Sequence, residues 1–63
     1  MKWNSTAENE FPLDKQEVLI QVDGVYYVSI FDEGKKLFRV NQMMQTVFRT
    51  EDKKILWQEY MSQ

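Results

Sequence analysis

The chain has 63 residues, with ten carboxylates against eight lysines and arginines, no cysteine and no histidine. That composition excludes disulfides and thiolate metal sites and leaves only carboxylates to build a zinc site, so no metal and no cofactor is expected. One small domain spanning 1–63 fits the length; such a chain buries only about 60% of the surface its unfolded form exposes, its core supplies roughly 3–5 kcal/mol, and self-association or a partner is the remaining way to add stability.

In chain order, residues 1–15 read as a leader segment ahead of a β-rich core at 16–63. The opening MKWNSTAENEF has no apolar run, so no secretory signal is expected there. Ser5-Thr6-Ala7-Glu8 has the form of a capping box, but no helical apolar stripe follows it. Pro12 lacks a backbone donor and pushes Phe11 toward extended geometry. Phe11 and Leu13 are expected to dock on an edge or face of a sheet.

Glu17 to Val22 is rich in β-branched residues and predicts a strand. Asp23-Gly24 follows, between two apolar runs, and Asp-Gly suits a two-residue type I′ hairpin turn. A two-residue loop would place Val22 opposite Val25, Ile20 opposite Tyr27 and Val18 opposite Ser29. One face would then carry Val18, Ile20, Val22, Val25, Tyr27 and Phe31. The other would carry Leu19, Tyr26, Val28 and Ile30, diluted by Glu17, Gln21 and Asp32. Both faces are apolar, whereas an ordinary two-layer hairpin alternates apolar and polar. Asp32-Glu33-Gly34-Lys35 predicts a second turn with Gly34 left-handed. Lys36 to Val40 is a third strand, with Phe38 and Val40 on one face and Leu37 and Arg39 on the other.

The remaining residues read two ways. As strands, Thr46–Thr50 and Ile55–Tyr60 would flank the loop Glu51-Asp52-Lys53-Lys54 and set Phe48 opposite Trp57. As a helix, Thr50 would cap a turn containing Glu51 and Asp52, and Leu56, Trp57, Tyr60 and Met61 would share one face. Asn41, Met43, Met44, Val47 and Phe48 offer a similar short helix. The strand reading is favoured. The expected fold is therefore mainly β, a small antiparallel meander of four to five strands open to curling into a barrel. The alternative is α+β, a three-stranded antiparallel sheet with a C-terminal helix.

Charge divides along the chain. Residues 1–34 set two lysines against seven carboxylates, a net −5; residues 35–63 set six cations against three carboxylates, a net +3. Such a split suits a nucleic-acid surface, complementary faces on two protomers, or two halves lying side by side in one sheet, and the last is favoured.

An enzyme needs a placed nucleophile, base or metal. Without histidine or cysteine, only carboxylate pairs remain, Asp32 with Glu33 and Glu51 with Asp52, and both sit in predicted turns. The only glycines are Gly24 and Gly34, so there is no glycine-rich phosphate loop. No catalytic residue is assigned and no enzyme is expected. A basic, aromatic surface of Lys36, Arg39, Arg49, Lys53, Lys54 and Trp57 has the ingredients for binding single-stranded nucleic acid. The pI near 4.9 and the neighbouring acidic half disfavour it. Leu19, Tyr26, Val28 and Ile30 form the candidate protein-interaction surface, because an apolar patch of that kind calls for a cover. The tail, the leader or a second copy would supply it, and a homodimer is weakly favoured. Met43 and Met44 are either adaptable contact residues or gap-fillers. No stretch approaches the ~20 apolar residues of a membrane span, and a cytoplasmic location is expected.

Trp3, Pro12, Val18-Leu19-Ile20, Asp23-Gly24, Trp57 and Met61 together resemble a small bacterial and phage family of unknown function, catalogued as domain of unknown function number 551. Its members typically show an early tryptophan, a proline before the first strand, a V-L-V-type strand, a glycine turn and a late tryptophan followed by a methionine. The resemblance implies a strand at Ile55 to Tyr60 and a bacterial or phage origin, and implies no activity. The expected role is a non-catalytic protein–protein interaction or accessory module, with single-stranded nucleic-acid binding as the alternative.

Overall fold

Strand β2 (Glu17–Val22) turns through Asp23 and Gly24 into β3 (Val25–Asp32). A computed structural model describes residues 3–41 and 46–60. Val22 pairs with Val25, Ile20 with Tyr27 and Val18 with Ser29, the register set by a two-residue loop. Asp23 and Gly24 have φ of +53° and +82°, as a type I′ turn requires of both central residues.

The second turn leads into β4 (Leu37–Val40). The left-handed residue is Lys36, at φ +55°, and not Gly34 as expected. Asp32 explains the shift: its carboxylate accepts the Lys35 N–H at 3.2 Å and folds the turn without using the freedom of Gly34. The reversal falls instead at the strand entrance. There the Lys36 carbonyl accepts the Thr50 N–H, and its ammonium lies 4.8 Å from the centre of the Phe11 ring.

Strand β5 (Val47–Arg49) continues the meander on β4, with Phe48 opposite Phe38. Strand β6 (Leu56–Glu59) does not follow it. It crosses back to pair with β2, placing Trp57 opposite Ile20, and takes β1 (Asn4–Ser5) on its other side. Among the described residues the order is β1-β6-β2-β3-β4-β5, six antiparallel strands in one sheet that is not closed. The fold is thus mainly β, and the α+β alternative is not supported: among the described residues there is no α-helix. The sequence explains why. Ile55 and Trp57 are buried while Leu56 and Gln58 are half-buried, a period of two. The expected Phe48–Trp57 pair does not form, because each ring finds an apolar partner on a different strand. The helical reading of residues 41–48 fails at Val47 and Phe48, which are strand; Met43 and Met44 lie outside the described residues, as does Met61.

The inner face carries the core: Val18, Ile20, Val22, Phe31, Phe38, Ile55 and Trp57, edged by Phe11, Tyr27 and Phe48. Among the described residues no helical layer covers the sheet, yet Phe31 and Phe38 are fully buried, with Phe11 of the leader and Tyr27 and Phe48 packed against the core they belong to. The leader is built in from Trp3 onward. Thr6 and Ile55 bond to each other through both backbone and side chain: Thr6 N–H donates to the Ile55 carbonyl, and Ile55 N–H donates to Thr6 Oγ1. Thr6–Glu8 forms a single 3-10 turn capped by Ser5 Oγ. Phe11 stacks on Phe31 at 6.0 Å. Lys15 and Gln16 both bond to the backbone of Phe31, two residues opposite one, with Lys15 at φ +68°. This is a β-bulge that bends the chain from leader into strand. Leu13 does not dock; it is 76% exposed.

Candidate interaction surface

Directly paired residues project to the same side of a sheet, so the registers define the outer face row by row. Ser5, Leu56, Gln21 and Tyr26 form one row. Gln58, Leu19 and Val28 form the next. Glu17, Ile30, Arg39 and Val47 form a third. Leu19, Tyr26, Val28 and Ile30 are therefore contiguous, as expected. Leu19, Val28 and Ile30 are half-buried and Tyr26 is 59% exposed.

Two residues of this surface were not legible in the sequence. Trp3 stacks on Tyr26, ring centroids 6.0 Å apart and planes 21° apart. Leu56 enters through the crossing of β6 beside β2. The leader shows no periodicity that would place Trp3, and the strand pattern at Leu56 does not reveal its neighbours. A shallow hollow of about 250 Å³ opens beside Ile30, lined also by Arg39, Val40 and Asn41.

The basic, aromatic set does not assemble. Trp57 is 8% exposed and belongs to the core, its Nε1–H donating to the Glu10 carbonyl at 2.9 Å. Burial against Ile20 removes its ring as a stacking platform for bases. Lys36 sits over Phe11. Lys53 bonds to Asp23 at 2.8 Å, and that bond, reinforced by the carboxylate's charge, raises the pKa of the ammonium. Arg39 lies 3.9 Å from Asp32. Arg39 and Arg49 both project from the outer face, on neighbouring strands. Lys54 is exposed in the loop before β6. Both ion pairs join a cation of the basic half to a carboxylate of the acidic half, since the two halves share one sheet.

Of the carboxylate pairs, Asp32 is engaged by the Lys35 amide and by Arg39, and Glu51 and Asp52 are exposed in a turn. Among the described residues no group of three or more carboxylates is placed to hold a metal ion, and no helix is long and apolar enough to cross a membrane. No protein-family model, curated protein or solved structure matches the chain.

Proposed function

We propose that this chain is a non-catalytic protein–protein interaction module that binds through the outer face of its sheet. The observation that supports it is the contiguous outer-face patch of half-buried Leu19, Val28, Ile30 and Leu56, with the Trp3–Tyr26 stack at its end and Tyr26 59% exposed. Contiguous apolar patches are rare on soluble monomers unless they bind something, and aromatic side chains dominate contact energies where they occur. The resemblance carried by Trp3, Pro12, Asp23-Gly24 and Trp57 supports an accessory role in a bacterium or phage, and the lack of cysteine suits a cytoplasmic location.

The test is capture from cells with the wild type, Ile30→Glu and Lys54→Glu, each checked for folding by circular dichroism. The expected result is that the proteins retained by the wild type and by Lys54→Glu are lost with Ile30→Glu. Equal retention by all three would show that the outer face is not the binding surface. Micromolar binding of a short single-stranded oligonucleotide that weakens steeply with salt would replace this reading with nucleic-acid recognition.

A further inference from the structure

We infer that the occupant of the outer face is a second copy of this chain, packed face to face about a two-fold axis running along β3. The inference rests on the proposed interaction face and goes further by naming what covers it. It is carried by the order of one cross-strand row. Glu17 pairs with Ile30, and Ile30 pairs with Arg39. Ile30 thus stands in the middle, with a carboxylate one strand spacing to one side and a guanidinium one strand spacing to the other, each roughly 4.8 Å away.

A two-fold axis along the middle strand exchanges left and right. It lays Ile30 on the Ile30 of the second copy, and it lays Glu17 on the second copy's Arg39 and Arg39 on the second copy's Glu17. The row is therefore complementary to its own rotated image in charge as well as in apolarity, which is the requirement on an isologous interface. The same axis stacks Val28 on Val28 and Tyr26 on Tyr26, so apolar side chains line the centre; the Glu17 carboxylate accepts the Asn41 Nδ2–H at 2.8 Å within its own chain, an exposed bond that the second copy's Arg39 joins or replaces. Face-to-face sheets stand about 10 Å apart, within reach of facing side chains. Asp32 lies on the same column and would meet its own image, but its carboxylate accepts the Lys35 amide of its own chain; Arg39, 3.9 Å from it and 46% exposed at its side chain, stays open to the second copy's Glu17. The area required is modest: a standard interface takes roughly 800 Å² from each partner, less than a fifth of the 4570 Å² this chain exposes.

The test is sedimentation of the wild type, Glu17→Arg and Arg39→Glu, alone and mixed. Glu17→Arg alone places arginine against arginine across the axis, and Arg39→Glu alone places glutamate against glutamate. Each is expected to weaken self-association by roughly tenfold or more. Mixed one to one, the two variants oppose arginine to glutamate at every position, so a heterodimer of near wild-type affinity is expected. Should Arg39→Glu fail to fold, Tyr26→Glu, at the most exposed position on the axis, is expected to abolish the dimer while keeping the fold. A folded wild type that remains monomeric at about 500 μM overturns the dimer and leaves the interaction face to the capture experiment. A dimer unaffected by the charge swaps and by Tyr26→Glu overturns it too, placing association elsewhere, such as the outer edge of β5. Persistence of that dimer in Ile30→Glu, with unchanged capture, would remove the face itself.

Discussion

The indole N–H of Trp57 donates to the main-chain carbonyl of Glu10 at 2.9 Å, tying the last strand to the leader across a separation of 47 residues. The bond holds the leader against the inner face of the sheet, beside the stack of Phe11 on Phe31. Trp57→Phe keeps an aromatic ring in the core but leaves that carbonyl without its donor. The expected loss is about 1–3 kcal/mol, read as a lower urea midpoint with an unchanged slope. The Asn9 and Glu10 amides, which bond within the leader, should exchange faster in the variant. An unchanged midpoint would mean that the leader is not coupled to the core through this bond.

The Asp23-Gly24 turn permits a cleaner separation of backbone from packing. A Cβ built at Gly24 meets nothing within 4 Å, yet φ there is +82°. Any cost of Gly24→Ala is therefore conformational, about 1–2 kcal/mol. In a synthetic chain, D-alanine at the same position should restore the melting temperature, because its mirror-image preference suits positive φ. Equal damage by both enantiomers would point to a steric clash instead.

Ser29 is fully buried between Val18 and Val40, and its hydroxyl has no hydrogen-bond partner among the described residues. A buried hydroxyl without a partner costs more than the packing it supplies. Ser29→Ala is expected to raise stability by about 1 kcal/mol in chemical denaturation. A loss of stability would show that the hydroxyl is satisfied, for example by a buried water.

Lys53 pins the loop before β6 to the first hairpin turn through Asp23, and its pKa is raised by that hydrogen bond and by the charge of the carboxylate. A cationic group whose folded pKa lies above its unfolded value contributes its full stabilisation below the unfolded value, near 10.4. It loses that stabilisation as pH rises through the folded value. The pin is therefore intact at neutral pH and released in alkali. NMR titration of the Lys53 side chain should show its midpoint fall toward the ordinary lysine value in Asp23→Asn. An unmoved midpoint would show that the pair does not form in solution.

The first hairpin was legible from residues 17–32 alone. Asp-Gly demands a two-residue turn, a two-residue turn determines the pairing, and pairing with a period of two assigns every side chain to a face. The same period of two put Leu19, Tyr26, Val28 and Ile30 together on the outer face. What the sequence left undecided is non-local. Which strand Trp57 would lie beside depended on where β2 offered a free edge and on the apolar surface buried against Ile20, a contact 37 positions away that no local pattern encodes. The left-handed residue of the second turn is Lys36 and not Gly34 because the Asp32 carboxylate folds the turn from within while the Thr50 N–H, from beyond β5, holds the Lys36 carbonyl. Trp3 reaches Tyr26 on the outer face because β1 pairs with β6, a contact between residues more than 50 positions apart. Local chemistry therefore determined the turns and the alternation of faces, while the choice of neighbours fell to the tertiary structure, because burial rewards contacts between residues far apart in the chain.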